Sequence, residues 1–302
     1  MPPGDDKPRM IEFPSPFANE PGTVRVLQPA EGFSSEQVDR MRVGAYDQPF
    51  IVDDSGIRNL FFTIDAIQSS MRVDDPRALI SPYTRKMMAF LLFNPAPRHI
   101  LMIGLGGGSL AKFCHCHLPR TRVSVVEISA KVIALRDEFA IPPDDERLEI
   151  IHDDGAAFLA KTDLQPDVIL VDAFDQRGVS PSLASSDFYQ RASRCLLPGG
   201  LLVMNLSGEK CRYGAHIEGM RAAFPGVIRL VPVEGEDNVL IFALGSGALA
   251  DLPDSLWRRA AHLQQGLGLQ FCRYLERLRG GSVLDPRPGR EISGCSASDL
   301  SQ

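Results

Sequence analysis

His99-Ile100-Leu101-Met102-Ile103 runs without a break into Gly104-Leu105-Gly106-Gly107-Gly108-Ser109. Consecutive apolar residues without alternation predict a strand buried on both faces. The glycines let the backbone turn tightly and come close to a ligand, and SLAKFCHCHL at 109–118 continues as a helix. The spacing is GxGxG rather than GxGxxG, because Ser109 stands where the third glycine of a dinucleotide fingerprint would fall. A purely structural turn and a ligand-cradling turn are both open on this stretch alone.

The flanking sequence repeats the pattern. Strands are expected at VSVVEI (123–128), LEIIHDD (148–154), DVILVDAF (167–174) and LLVMNL (201–206). Helices are expected at AKVIALRDEFAI (130–141), GAAFLAK (155–161) and SSDFYQRASRCL (185–196). Apolar strands each followed by a helix predict a parallel sheet covered on both faces. After the helix HIEGMRAAF (216–224), GVIRLVPV (226–233) and NVLIFALG (238–245) read as an antiparallel pair that closes the sheet.

Upstream, SPYTRKMMAFLLF (81–93) predicts a helix with Ser81 as N-cap and Pro82 in the first position. Before it, TVRVLQ (23–28), QPFIVDD (48–54), IRNLFFTID (57–65) and AIQSSMRV (66–73) are strand-like, with a hairpin turn at Asp53–Gly56. Downstream, SLWRRAAHLQQGLGLQFCRYLERL (255–278) is amphipathic and helical, and the chain from Gly280 is rich in Gly, Pro and Ser. The expected class is therefore α/β, a Rossmann-like doubly wound, mostly parallel sheet with an antiparallel final hairpin, preceded by a small N-terminal β-domain. The expected division is a flexible leader at 1–22, the β-domain at 23–80, the cofactor-binding domain at 81–248, and a C-terminal helix with disordered tail at 249–302.

Composition narrows the function classes. The net charge of −6 argues against a general nucleic-acid binder, which needs a basic face, and it suits a cationic substrate. MPPGDDKPRM at the start has no apolar core of a secretory signal, and no apolar run has the ~18 residues of a membrane helix. Six cysteines form neither a disulfide framework nor a CxxC pair, so reduced thiols and a cytoplasmic setting are expected. Cys114-His115-Cys116-His117 looks metal-like, but neighbours on a helix diverge by about 100° and cannot converge on one ion. No metal is expected.

Candidate ligand groups sit at strand ends. Gly104, Gly106 and Gly108 form the turn, and Glu127 ends the next strand, where in this fold a carboxylate accepts from the hydroxyls of a ribose. Asp154 and Gly155 end the third strand; Asp154 either accepts from an adenine amino group or caps the following helix. Past the fourth strand, Asp172 and Asp175 stand three apart where open α/β sheets bind ligands.

Asp172-Ala173-Phe174-Asp175-Gln176-Arg177-Gly178, followed by Ser185, Phe188 and Tyr189, resembles the DxxDPxG and S-x-x-F-Y segments of the polyamine aminopropyltransferases, above all the spermidine synthases. Gln176 replaces the proline, and Gln68 resembles the glutamine of the family's L-D-G-x-x-Q strand. The resemblance spans about residues 55–210. It implies transfer of an aminopropyl group from decarboxylated S-adenosylmethionine to an amine such as a polyamine, with Asp172 accepting the proton and Asp175 anchoring the amine. It implies binding of the donor by Gln68, the glycine turn, Glu127, Asp154 and Gly155, and a homodimer.

Three departures bear on the substrates. Gly107 stands where the family's G-G-G-D-G-G loop has the Asp that holds the donor's amine. The family's Y-H-E is replaced by Tyr83-Thr84-Arg85-Lys86, whose cations either meet the carboxylate of intact S-adenosylmethionine or lie on a helix surface. The acceptor-side P-T-Y-P…W-G-F segment is replaced by Val231–Asn238, whose Glu234, Glu236 and Asp237 read either as an acidic mouth or as a solvated hairpin loop. Two alternatives therefore stand beside aminopropyl transfer: a methyltransferase that uses intact S-adenosylmethionine, and a cofactor-binding scaffold without turnover.

Overall fold

The computed structural model describes residues 9–28, 34–46, 48–64, 66–175, 178–179, 181–207, 213–245 and 253–284. Five antiparallel strands form the first sheet: β1 (Met10–Pro14), β2 (Thr23–Leu27), β3 (Phe50–Asp54), β4 (Ile57–Thr63) and β5 (Ala66–Arg72). Ser55 and Gly56 join β3 to β4 with φ of 49° and 80°, as a two-residue hairpin requires. Helix α1 (Ser35–Arg42) lies between β2 and β3. Its capping box, in which the Ser34 N–H donates to Gln37 Oε1 at 2.7 Å, is a local signal that the strand-only reading of 23–73 passes over. Met10–Pro14, placed in the leader by its Pro-rich surroundings, instead pairs along its whole length with Thr23–Leu27.

The next elements are α2 (Pro82–Met87) and α3 (Phe90–Phe93), then β6 (His99–Ile103), α4 (Ser109–His117), β7 (Arg122–Glu127), α5 (Ala130–Ala134), β8 (Leu148–His152), α6 (Gly155–Lys161) and β9 (Val168–Val171). A two-residue ribbon of β10 (Phe174–Asp175) and β11 (Gly178–Val179) precedes α7 (Ser186–Cys195), β12 (Leu201–Leu206), α8 (Tyr213–Ala223), β13 (Ile228–Pro232) and β14 (Val239–Leu244). The main sheet, with β15 (Ser282–Leu284) at one edge, has the order β15-β13-β14-β12-β9-β6-β7-β8. β12, β9, β6, β7 and β8 are parallel, and β14 is antiparallel between β12 and β13. The chain runs from β6 outward to β8, then returns to β9 on the other side of β6. That reversal opens a crevice at the carboxyl ends of β6 and β9, where open sheets of this kind take ligands.

Both faces of the sheet are packed. Met102, Val125 and Leu170 face a core that includes Phe90, Phe113, Leu256 and Phe271, and Leu101, Ile103 and Ile169 face Phe158, Phe188, Tyr189 and Phe224. The two sheets are tied by ions: Arg58 grips Asp53 through Nε and a terminal nitrogen, each at 2.7 Å, and reaches Glu138 Oε2 at 3.1 Å. This half-buried fork geometry fixes the small sheet against the loop after α5.

The amphipathic stretch 255–278 is two helices, α9 (Ser255–Leu267) and α10 (Phe271–Gly280). Gly268, with φ of +69°, ends α9 in the left-handed conformation that only glycine adopts freely. Ser282–Leu284, assigned from composition to the tail, forms β15 and adds an edge strand to β13. The remaining tail, residues 285–302, lies outside the described residues. Among the described residues, no helix is long and apolar enough to cross a membrane.

Candidate active site

The crevice is built from strand ends. β6 delivers the glycine turn, and Gly104 adopts φ of +97°. A Cβ there would fall 2.2 Å from the Asp172 carbonyl oxygen, so the missing side chain lets the tips of β6 and β9 touch. Gly106 takes φ of +51°, and both glycines line the cleft. Gly108 does not line it; its missing Cβ leaves room for Ile141, which would otherwise lie 2.6 Å away. Gly107 is equally enclosed, with Ser69 Oγ at 2.7 Å and Phe139 Cδ1 at 2.8 Å from where a Cβ would stand. A side chain at position 107 would therefore meet Phe139 and Ser69.

Glu127 ends β7 only 8% exposed. Its Oε2 accepts from the Leu105 N–H at 2.9 Å, and its Oε1 accepts from the Ser129 N–H at 2.8 Å. Burial raises the Glu127 carboxyl above its usual range, against the pull of the Ser129, Leu105 and Ile128 amides. Each oxygen keeps a lone pair, which suits two adjacent hydroxyl donors.

Asp154 takes the N-cap part of the two open to it in the sequence. Its Oδ1 accepts from the Ala157 N–H at 2.8 Å as the N-cap of α6, its Oδ2 accepts from the Ser182 hydroxyl at 3.2 Å, and it lines the cleft beside Gly155. Neighbouring Asp153 pairs with Lys161 at 2.5 Å instead. Gln68 reaches the cleft from β5 because Leu60 pairs with Ser69 while Phe61 pairs with Ile67. Gln68 is thus the extra residue of a β-bulge, a device that re-aims a side chain.

Asp172 stands where β9 ends. Its Oδ1 accepts from the Asn205 amide at 3.0 Å, and its Oδ2 accepts from the Tyr83 hydroxyl at 3.2 Å. Asn205 is held in that orientation because its Oδ1 accepts from the Asn238 amide at 2.9 Å. Burial pushes the Asp172 carboxyl up to about 6, in spite of the two hydrogen bonds that favour its charged form. Such a carboxylate is ionised at neutral pH yet a better base than an exposed one. Asp175 pairs through its backbone with Gly178 in the β10–β11 ribbon. Its side chain, like Gln176 and Arg177, lies outside the described residues.

Asn205 and Asn238 escape the sequence reading as parts of this site. A signal existed for Asn205, the one polar residue in the otherwise apolar β12 and only 1% exposed. Of the two readings open to it, Glu236 does not fit the solvated loop: its Oε2 accepts from the Tyr83 N–H at 3.1 Å, and burial and Asp172 raise its carboxyl. The cations of α2 turn away. Lys86 is 4% exposed and donates to the Pro232 carbonyl at 2.7 Å and to Glu234 at 3.1 Å, and Arg85 lines a different cleft. No Lys, Arg or His is among the described residues that line the donor cleft. In α4, Cys114 is buried while His115 pairs with Asp145 at 2.9 Å, so the metal-like run diverges.

Residues 81–217 match the model of the spermine/spermidine synthase domain. The chain is 38% identical over 235 residues to the polyamine aminopropyltransferase of Neisseria meningitidis serogroup A, covering 77% of this chain and 89% of that one. It is 37% identical over 242 residues to that of Chromobacterium violaceum, covering 80% and 92%. Its fold is similar to the crystal structure of a probable spermidine synthase from Corynebacterium glutamicum, with a TM-score of 0.58 at 20% identity over 82% of this chain and 95% of that one.

Proposed function

The chain belongs to the polyamine aminopropyltransferase family, and from that premise we propose that it moves an aminopropyl group from decarboxylated S-adenosylmethionine to an amine, with Asp172 taking the proton. The observation that carries the reading is the junction of Gly104 with Asp172, which sets a base at the rim of an adenosyl-sized cleft.

In this reading Glu127 accepts from the donor's ribose hydroxyls, Asp154 from the adenine amino group, and Gly104 and Gly106 let the backbone approach the sulfonium arm. Gln68 closes the cleft from the small sheet. The nitrogen of the acceptor attacks the methylene carbon next to sulfur. The carbon–sulfur bond breaks, its electron pair returns to sulfur, and neutral 5′-methylthioadenosine leaves. The nitrogen loses its proton to Asp172, whose partners Asn205 and Tyr83 hold the carboxylate in place. Positioning of this kind and general-base help each contribute orders of magnitude. Asp175 anchors the amine, and a homodimer in the cytoplasm completes the proposal.

Methyl transfer from intact S-adenosylmethionine draws on Gly107, which leaves the donor's amine without the family's carboxylate. Against it, no cation for that cofactor's own carboxylate is among the described residues that line the cleft. Incubation with each donor and a panel of amines, with the thioether product identified by mass spectrometry, decides the matter. 5′-Methylthioadenosine is the expected product; S-adenosylhomocysteine, or no product from either donor, would overturn the reading.

A further inference from the structure

Arg85 has no task in the donor cleft. α2 places Tyr83 at the active site and Arg85 in a second cleft, lined by Pro82, Arg85, Lys86, Glu234, Arg273 and Tyr274 together with the Gly268–Gln270 turn. The charges there do not balance. Lys86 and Glu234 neutralise each other at 3.1 Å, with Arg277 also bonded to Glu234 at 2.5 Å. Arg273 comes no nearer to Glu234 than 3.7 Å, beyond hydrogen-bond length. Arg85 is half-buried, its guanidinium makes no hydrogen bond or ion pair among the described residues, and it feels Glu236 only at longer range. Tyr274, 6% exposed, lines this cleft beside Gln270, and both Arg85 and Arg273 act on its hydroxyl.

Two guanidinium groups around one cavity repel cations, so a polyamine has no place there. They match a ligand with several oxygens and negative charge, because a planar guanidinium offers paired donors to a carboxylate or phosphate. Partial burial strengthens such a contact relative to an exposed one. We infer that this second cleft is an oxyanion site, in which Arg85 and Arg273 clasp a phosphate group or a small dicarboxylate and Tyr274 adds a hydroxyl donor. The inference does not depend on the reaction assigned to the first cleft.

The test is calorimetric titration of the full chain with inorganic phosphate and, separately, with malonate, at ionic strength held constant with sodium chloride. The wild type is expected to bind at least one of them saturably at one site, and the tighter of the two identifies the ligand class. Arg85→Gln and Arg273→Gln are each expected to weaken binding ~10-fold or more, since loss of one charge-assisted bond is worth that much. Arg85→Lys, which keeps the charge but not the fork, is expected to fall between them and the wild type. All variants are expected to melt within ~2 °C of the wild type without anion; Arg273, exposed at the rim, carries the test even where a change at Arg85 disturbs α2. No saturable binding of either anion, or equal binding by wild type and variants, which marks an adventitious ion only, would overturn the inference.

Discussion

Tyr83 donates its hydroxyl to Asp172 at 3.2 Å while its own backbone N–H donates to Glu236 at 3.1 Å. One residue of a six-residue helix thus joins the tip of β9 to the β13–β14 loop, and two carboxylates raised by burial sit at its two ends. Tyr83→Phe removes a hydrogen bond that favours the charged form of Asp172. Its carboxyl then rises further, and the acid limb of the kcat/KM profile moves to higher pH. A ~10-fold loss at neutral pH is expected, since a hydrogen bond to a charged group is worth ~1.5–3 kcal/mol. An unmoved limb in a pH–rate profile would separate Tyr83 from the base.

Asp172→Asn is expected to lower kcat ~10²–10⁴-fold and to abolish the limb near pH 6, measured by 5′-methylthioadenosine release. The same substitution is expected to stabilise the fold. Asp172 is raised in the folded state from 3.8 to about 6, so its contribution to stability is full below pH ~4 and is lost as pH rises through about 6. At pH 8 the neutral asparagine avoids that loss, and the melting temperature rises by a few degrees, read by calorimetry.

Glu127→Gln leaves one backbone N–H facing an amide NH₂ and removes the charge that a ribose would meet. The donor KM is expected to rise ~10–100-fold, the loss of one or two charge-assisted bonds, with kcat changed less than ~3-fold. Steady-state kinetics at saturating amine measures the split; a kcat effect with unchanged KM would place Glu127 elsewhere in the mechanism.

Gly107→Ala drives a methyl into Phe139 and Ser69. Overpacking of this kind costs ~1–3 kcal/mol, seen as a lower melting temperature, and Phe139→Leu in the same chain should recover part of it. A neutral Gly107→Ala would show that the loop has slack to hold the family's aspartate.

The main sheet is legible in the sequence because β6, β7, β9 and β12 are buried on both faces and carry no alternation to confuse with a helix. Glu127 and Asp172 are legible for the same reason, as the first polar residues after apolar strands. What the sequence hides are relations set by tertiary contact. β1 is short, half-exposed and flanked by prolines, and nothing local announces its pairing with β2. Tyr83 and Asp172 lie 89 positions apart, and Arg85 and Lys86 read alike until burial separates them. The division of the C-terminal helix was in reach, since Gly266 and Gly268 interrupt an otherwise continuous apolar stripe.

A crystal structure of the chain with 5′-methylthioadenosine and a diamine probes the active-site geometry most directly. The expected result has the ribose hydroxyls on Glu127, the sulfur over the Gly104–Gly106 turn, and one amine nitrogen ~3 Å from the Asp172 carboxylate. A nucleoside bound outside the space between Gly106 and Glu127, or a diamine that leaves Asp172 without contact, would contradict it.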